Sequence, residues 1–347
     1  MSISLNVEKS YGSFCLDVQL EAGNEVLALL GASGCGKSMT LKCIAGIVTP
    51  DRGQIVLDGQ TLYDSARRVN LSPQKRRTGL LFQNYALFPN MTVAQNLRAG
   101  ARRDRRGQQR EETISQALER FGLTQLRDRY PAQLSGGQQQ RAALARILVS
   151  GPDILLLDEP FSALDSHLRF RLEQELRQTI RQFGKTVILV THDRDEAFRL
   201  ADRIAVLENG RVEVCGTKAE VFAQPRTRSA AVLTGCKNIS RLEPLGGNLV
   251  RAADWGLTLT LADAPADDTY LGIRMHDILA GPGENTVTGR VVEEIENPFS
   301  YTVMLTPLDA PEATAIGWEL DKETWTRLRS PEVTVHLPAQ ALVLLKG

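Results

Sequence analysis

The stretch Gly31-Ala-Ser-Gly-Cys-Gly-Lys-Ser38 decides the fold, because it fits the glycine-rich phosphate-loop (Walker A) pattern completely. The apolar run Glu25-Val-Leu-Ala-Leu-Leu30 precedes it directly, so the sequence predicts a strand, a tight loop and a helix that begins near Lys37. Glycines let successive backbone N–H groups turn toward phosphate oxygens, and the positive end of the helix adds to that attraction. We expect Lys37 to reach the terminal phosphates and Ser38 to bind Mg²⁺.

A second motif, Ile154-Leu-Leu-Leu-Asp-Glu-Pro160, predicts a buried strand that ends in adjacent carboxylates. Successive side chains of a strand point in opposite directions, so the two acids can serve different tasks if the chain turns there. One carboxylate near Mg²⁺ can bind the metal, and one facing the terminal phosphate can orient and deprotonate the attacking water. We assign Asp158 to the metal and Glu159 to the water.

Further apolar runs at Thr78-Gly-Leu-Leu-Phe82 and Thr186-Val-Ile-Leu-Val190 are typical of strands buried on both faces. They predict a largely parallel sheet covered by helices, up to about residue 235. One such helix is indicated by apolar residues spaced four apart, namely Leu168, Leu172, Leu176 and Ile180.

After about residue 236 the pattern changes to short alternating runs broken by Gly, Pro and Asp. The runs are Leu257–Leu261, Thr288–Val292, Tyr301–Leu305 and Glu332–Leu337. They predict a small antiparallel barrel or sandwich. We therefore expect two domains, 1–235 and 236–347, with a connection that starts near Gln224–Ser229.

Composition narrows the class of protein. The 347 residues carry 41 Lys plus Arg and 41 Asp plus Glu, so no overall charge recommends a nucleic-acid partner, and the run Arg102–Arg106 is expected to be a solvated loop. Five scattered cysteines without a CxxC spacing predict neither a zinc site nor a disulfide framework and suit a reducing compartment. No run approaches the ~20 apolar residues of a membrane span.

The string Leu134-Ser-Gly-Gly-Gln-Gln-Gln-Arg141 resembles the signature motif of ATP-binding-cassette (ABC) ATPases. It lies between the two motifs above, and the resemblance covers roughly residues 3 to 235. It implies an α/β P-loop NTPase cassette with a helical subdomain at about 85–150. It also implies a head-to-tail homodimer, in which the signature residues of one copy close over ATP held by the other: Ser135, Gly136, Gly137 and Gln138.

Other positions match this family in the expected order. Tyr11 resembles the aromatic residue that stacks on adenine, although a single tyrosine in an early hairpin is about as often a packing residue. Gln83 resembles the glutamine that contacts Mg²⁺ and the attacking water, and the next segment, Asn84–Pro89, resembles the one that touches the membrane partner. Asp165 resembles a residue of the loop that crosses the dimer interface, and His192 the histidine that contacts the terminal phosphate.

The resemblance thus implies ATP and Mg²⁺ as cofactors. Glu159, His192 and Gln83 are the predicted catalytic residues, and Ser38, Gln83 and Asp158 the predicted metal ligands. The phosphate-loop residues assigned to the nucleotide are Gly31, Ser33, Gly34, Cys35, Gly36, Lys37, Ser38 and Met39. Two interpretations of the Cys35 side chain stay open: a thiol activated by the helix N-terminus, whose alkylation would inactivate the enzyme, or a small packing residue.

The rest of the chain resembles the TOBE-type β-barrel regulatory domain of importer ATPases, since Leu271-Gly-Ile-Arg-Met-His-Asp-Ile278 is similar to its Gly-Ile-Arg element. The resemblance implies a peripheral protein at the cytoplasmic face of the membrane, working with permease subunits and an extracytoplasmic solute-binding protein. The stretch Asn70–Arg77 resembles cassettes for oxyanions, molybdate or tungstate in particular. Related oxyanion-binding barrels carry Ser-Ala-Arg-Asn, from which this chain departs at Glu284–Thr288.

Alternatives remain within and outside transport. Importers of sulfate, polyamine, ferric iron or sugar share the same cassette pattern, because the ATPase need not touch the cargo. An ABC ATPase of DNA repair is the rival class, but such proteins carry long coiled-coil or zinc-bearing insertions, and the interval from Lys37 to Leu134 has room only for a compact helical subdomain. A chiefly ligand-sensing role of residues 236–347 is a third possibility.

Overall fold

The computed structural model describes residues 2–101, 107–162 and 166–347, with the side chains of 166–168 left out. The chain divides into two compact units, Met1–Lys218 and Ala219–Gly347. The domain boundary expected near residue 235 stays a prediction. The basic run Arg102–Arg106 lies outside the described residues.

The first unit is built on a mixed sheet of eleven strands. Its strands are β1 Ile3–Tyr11, β2 Phe14–Ala22, β3 Val26–Leu30, β4 Arg52–Leu57, β5 Gln60–Asp64, β6 Val69–Asn70, β7 Thr78–Leu81, β8 Ile154–Asp158, β9 Val187–Thr191, β10 Arg203–Glu208 and β11 Arg211–Thr217.

Five neighbouring strands of this sheet, β10-β3-β9-β8-β7, run parallel. Strands β3, β8 and β9 are buried along their whole length, as their apolar runs predict. The remaining strands pair antiparallel, apart from one short parallel contact between β11 and β2. The expectation of a largely parallel sheet therefore holds only for the five strands at one end of the sheet, because the strands of the other end form antiparallel pairs.

The helices of the first unit are α1 Lys37–Ala45, α2 Val93–Gly100, α3 Gln108–Arg120, α4 Gly136–Leu148, α5 Ser166–Phe183 and α6 Arg194–Leu200. Between β7 and β8, helix α2 packs against α3 and α4, which makes up the predicted helical part. In α5, Leu172, Leu176 and Ile180 are buried, as the four-residue spacing predicts. The side chain of Leu168 lies outside the described part of the chain.

Helix α7 Lys218–Ala223 begins at the last residue of the first unit, and the second unit continues with α8 Arg228–Leu233, α9 Lys322–Leu328 and ten strands. The strands are β12 Asn238–Gly246, β13 Leu249–Ala252, β14 Leu257–Thr260, β15 Tyr270–Ile273, β16 Leu279–Ala280, β17 Thr286–Glu296, β18 Ser300–Pro307, β19 Ile316–Asp321, β20 Glu332–His336 and β21 Val343–Leu345. They form two five-stranded antiparallel sheets, β14-β13-β12-β15-β21 and β16-β20-β17-β18-β19.

Both sheets of the second unit contribute to one apolar core, in which Trp255, Trp318 and Trp325 are buried. The predicted fold class, an α/β cassette with a helical part followed by a small all-β domain, is confirmed. Among the helices of the described residues, none is both long enough and apolar enough to span a membrane.

Candidate active site

The phosphate loop connects β3 to α1, and its glycines are required by both conformation and space. Gly34 and Gly36 have φ of 83° and 107°, in the left-handed region that side-chain-bearing residues rarely adopt. A Cβ atom at Gly36 would lie 2.6 Å from Leu16 Cδ1, and one at Gly31 would lie 2.5 Å from the Leu207 carbonyl oxygen. The loop is therefore packed against the sheet and keeps a fixed shape.

Lys37 is the first residue of α1 and is buried. Its ammonium group donates hydrogen bonds to the carbonyl oxygens of Gly31 at 2.8 Å and Ala32 at 2.7 Å. A buried cation at a helix N-terminus, ringed by a glycine loop, is an environment that favours phosphate. Phosphate oxygens can take over the hydrogen bonds that the two carbonyls now receive.

Cys35 lies in the loop but points into the protein. Only 7% of the residue is exposed, and it belongs to the apolar core of the first unit. Its sulfur lies 3.8 Å from Lys37 Nζ. This burial favours the interpretation of Cys35 as a small packing residue over that of an accessible reactive thiol.

The phosphate loop meets the second motif through Ser38 and Asp158. The Ser38 hydroxyl donates to Asp158 Oδ1 at 2.7 Å. Burial raises the pKa of Asp158, and the hydrogen bond from Ser38 and the positive charge of Lys42 oppose that rise. A hydroxyl and a carboxylate oxygen side by side are the hard donors that Mg²⁺ prefers, so these two residues fit the predicted metal role.

Glu159 turns away from β8 because its backbone adopts a left-handed conformation, with φ of 45°. Its N–H group donates to the Val190 carbonyl at 3.0 Å. Strands β8 and β9 are parallel with Asp158 opposite Val190, so the residues that follow them meet at one edge. There His192 Nδ1 lies 3.3 Å from Glu159 Oε2. The structure thus brings together two of the three predicted catalytic side chains.

Gln83 and Tyr11 lie in different parts of the eleven-stranded sheet, after the edge strand β7 and at the end of β1. Gln83 is exposed, two residues beyond β7, which is the parallel neighbour of β8. Tyr11 ends β1 opposite Phe14 in the first hairpin, and 73% of it is exposed. This exposure leaves the ring free for stacking and argues against a packing role. Ser33 is exposed and Met39 half-buried within the loop and α1.

The signature segment forms the N-terminus of α4. Ser135 is its N-cap residue, and the side chains of Ser135 and Gln138 each accept a hydrogen bond from the other's backbone N–H. Gly137 is buried and leaves room for Leu172, whose Cδ2 atom would lie 3.0 Å from a Cβ there. Gly136 is the first helical residue. Asp165, predicted to cross the dimer interface, lies outside the described residues.

A buried carboxyl group next to this edge was not predicted from the sequence. Glu196 on α6 accepts a hydrogen bond from Thr191 Oγ1 at 2.9 Å and one from Arg169 at 3.1 Å. Arg169 also pairs with Asp193 at 2.9 Å, so a cation from α5 holds two acidic residues that follow His192. Burial raises the pKa of Glu196 to about 7. Arg169 and Glu196 are 27 positions apart, so no local sequence pattern could predict this buried carboxyl group.

Comparisons with known proteins agree with this geometry. A family profile described as ABC transporter matches residues 16–162. A sulfate/thiosulfate import ATP-binding protein of Chromobacterium violaceum is 44% identical over 275 residues, covering 77% of this chain and 72% of that protein. Its counterpart in Vibrio cholerae is 37% identical over 336 residues, covering 94% and 85%. A spermidine/putrescine import ATP-binding protein of Nitratidesulfovibrio vulgaris is 36% identical over 321 residues, covering 87% and 85%.

Among solved structures, a dimeric ATP-binding cassette in a post-hydrolysis state with ADP and phosphate is similar, with a TM-score of 0.53 and 32% identity. The match covers 63% of this chain and 99% of that one. The phosphate loop, the carboxylate pair, the signature helix and these relatives lead to one assignment. The chain belongs to the ABC transporter family, as an ATP-binding subunit of the importer type.

Proposed function

We propose that two copies of this ATPase hydrolyse ATP at shared sites and drive the import of a tetrahedral oxyanion through a separate membrane permease. The observation that carries the hydrolytic part is the junction of the two motifs. The Ser38 hydroxyl is hydrogen-bonded to Asp158 next to the phosphate loop. Glu159 and His192, which directly follow β8 and β9, lie side by side.

In this proposal the phosphates of ATP bind to the backbone N–H groups of the loop and to Lys37, which exchanges its two carbonyl partners for phosphate oxygens. The exposed ring of Tyr11 stacks on the adenine. Ser38 and Asp158, with Gln83 from the segment after β7, are the residues that would hold Mg²⁺. When bound, the ion neutralises charge on the phosphate oxygens.

Glu159 is proposed to accept a proton from the water that attacks the terminal phosphate. His192, 3.3 Å from the carboxylate, orients Glu159 and contacts the phosphoryl group. The backbone turn at Glu159 supports this division of labour, because the strand that carries Asp158 ends there.

The dimer is proposed because a cassette carries one phosphate loop and a second helix N-terminus, that of α4. Ser135 through Gln138 of one copy would close over ATP held by the other, and Asp165 would cross the interface. A structural relative that is a dimeric cassette supports this arrangement. The segment Asn84–Pro89, in which Asn84, Ala86, Phe88 and Pro89 are exposed, would face permease subunits at the cytoplasmic side of the membrane, with an extracytoplasmic solute-binding protein completing the system.

The proposed cargo is an oxyanion, molybdate first and sulfate second. The stretch Asn70–Arg77 supports molybdate, and the names of two relatives support sulfate or thiosulfate. A polyamine is the competing cargo, because a relative with similar coverage is a spermidine/putrescine importer by name.

Two measurements test the proposal. Dilution of the purified protein well below its dimerisation range should lower its specific ATPase activity, because each site then lacks the partner's Ser135. Activity that stays constant per chain would contradict shared sites.

Uptake assays in cells that contain the chain and its co-encoded permease test the cargo. Competing molybdate should block uptake of radiolabelled sulfate or be taken up itself, while spermidine should do neither. Uptake of spermidine with no oxyanion uptake would replace the proposed cargo by a polyamine.

A further inference from the structure

The carbonyl group of Pro160, the residue after Glu159, is hydrogen-bonded by side chains from two other segments of the chain. Its oxygen accepts a hydrogen bond from the Tyr85 hydroxyl at 3.3 Å and another from Gln140 Nε2 at 3.1 Å. Both donors are buried; Tyr85 is 4% exposed. A carbonyl oxygen has two lone pairs, so these two donors complete its hydrogen-bonding capacity.

The backbone at Glu159 needs support from its surroundings. A residue other than glycine in the left-handed region is strained, and such a conformation persists only where neighbouring contacts fix it. Val190 holds the Glu159 N–H group, and Ser162 donates to the Glu159 carbonyl through its N–H at 3.3 Å and its hydroxyl at 3.1 Å. The bonds to the Pro160 carbonyl fix the Pro160–Phe161 peptide unit, so the chain is also held just after the Glu159–Pro160 bond.

Tyr85 belongs to the segment that follows Gln83. The side chain of Arg146 on α4 donates to the carbonyl oxygens of Tyr85 at 3.1 Å and Ala86 at 2.6 Å, so this segment is also tied to the signature helix. Gln140 lies on the same helix, one and a half turns after Ser135. A movement of α4 or of the segment after Gln83 therefore reaches the Pro160 carbonyl through direct contacts.

We infer that Tyr85 and Gln140 are positioning residues for Glu159, which hold the carboxylate in place through the carbonyl of Pro160. The inference rests on the proposed function, because it concerns the water-activating role assigned to Glu159. Through these contacts, the segment expected to face the permease and the helix expected to close over the partner's ATP both act on the same peptide unit. Burial raises the pKa of Tyr85 to about 12, so its hydroxyl remains a donor over the working range of pH.

The substitution Tyr85→Phe removes one hydroxyl from this junction and keeps the ring. We expect kcat to fall by about tenfold, because a small displacement of a reacting group lowers the rate strongly, while the KM for ATP changes less than about twofold. Tyr63→Phe is the matched control. Tyr63 is 5% exposed, and its hydroxyl also donates to a proline carbonyl, that of Pro50 at 2.7 Å.

Both variants lose one buried hydrogen bond, so their melting temperatures should fall by similar amounts. Only Tyr85→Phe should lose kcat. An unchanged kcat in Tyr85→Phe, or an equal loss in Tyr63→Phe, would overturn the inference while leaving the proposed function intact. A wild-type protein without ATPase activity would overturn the proposed function itself.

Gln140→Met provides a second, independent test, because methionine keeps the length of the side chain and removes the amide donor. We expect Gln140→Met to lower kcat with little change in KM. In the double variant with Tyr85→Phe, kcat should fall by less than the product of the two single fold-losses, since both side chains act on one carbonyl. Fully multiplicative losses would show independent action and contradict the shared role.

Discussion

The nucleotide edge of the first unit and the sheets of the second unit place carboxyl groups in different surroundings: Asp158 and Glu196 are buried, whereas Asp254 is half-buried and Glu296 and Asp321 are exposed. At the nucleotide edge, burial raises the pKa of Asp158 and of Glu196. In the second unit, the carboxyl groups with a shifted pKa have values below the ordinary ones. The hydrogen bond from the Arg241 backbone lowers the pKa of Asp254, the Lys322 side chain that of Glu296, and the Thr324 backbone that of Asp321.

Amide side chains of the second unit also serve its backbone. The Asn238 side chain donates to the Gly317 carbonyl at 2.7 Å and accepts from the Gly317 N–H at 2.8 Å, which joins β12 of one sheet to β19 of the other. Asn285 binds the backbone of Thr260 and Leu337 in the same manner. The comparison teaches that the first unit keeps reactive groups in unfavourable surroundings, whereas the second uses similar groups to hold strands together.

The largest expected effect separates two glutamates, one from each unit. Glu159→Gln should lower kcat by about 100- to 10,000-fold, because glutamine cannot accept the proton of the attacking water. Its stability should hardly change. Glu294→Gln in the second unit weakens contacts to Trp325 Nε1 at 3.0 Å and Arg329 at 2.8 Å, so it should lower the free energy of unfolding by about 1 kcal/mol and leave kcat unchanged.

Steady-state ATPase assays and denaturant unfolding of both variants check this pair. A Glu159→Gln variant that retains more than about a tenth of wild-type kcat would remove Glu159 from the water-activating role. A large loss of ATPase activity in Glu294→Gln would show that the second unit is not limited to structural contacts.

The position of Glu159 at the end of a strand could be predicted from the sequence alone. Glu159 follows a buried apolar run and precedes a proline, so the end of β8 and the turn could be predicted locally. The parallel strands were predicted for a similar reason, because continuous apolar runs need burial on both faces. An early hairpin around Tyr11 was expected as well, but the pairing of β4 to β6 was not, since strands of two to six residues carry a weak pattern.

Contacts between distant segments explain most of what the sequence could not show. Tyr85 and Pro160 are 75 positions apart, and Arg169 and Glu196 are 27 apart, so no periodicity or motif links them. The roles assigned to the site residues stay predictions, and those of Gln83, Ser135 and Asp165 depend in addition on bound nucleotide or a second copy of the chain.

The intermediate effect concerns pH. The pKa of Glu196 is raised to about 7 in the folded protein, whereas the same group ionises near 4.5 when unfolded. The folded state therefore retains this proton longer, and the stability it contributes is lost as pH rises through that window. As pH rises from 5 to 8, the free energy of unfolding of Glu196→Gln should therefore increase by about 1–3 kcal/mol relative to that of the wild type.

Asp254 gives the opposite dependence. Its pKa is lowered by the Arg241 backbone hydrogen bond, so its contribution is present above its unfolded pKa and is lost as pH falls below about 4. Asp254→Asn should therefore differ from wild type above that pH and converge with it below. Denaturant unfolding across the pH range checks both curves. Parallel curves for wild type and Glu196→Gln would contradict a carboxyl group that titrates near neutrality.

The smallest expected effect compares two helix caps. Ser135 caps α4 and Thr227 caps α8, where its hydroxyl accepts from the Ala230 N–H at 3.2 Å. Alanine at either position should lower stability by about 1 kcal/mol, since each loses one capping bond. Only Ser135→Ala should also lower ATPase activity, by about tenfold, because the same hydroxyl is proposed to bind phosphate in the partner's site.

That difference should vanish when the protein is diluted until it is monomeric, because Ser135 then has no partner site to complete. Mixed dimers sharpen the test further. One subunit carrying Ser135→Ala and one carrying Lys37→Ala can be combined so that a single site keeps both its own Lys37 and the opposite Ser135. Activity in that mixture, from two variants that are each weak alone, requires residues from two copies in one site. If the mixture were no more active than its parts, Ser135 would be a helix cap and nothing more, like Thr227.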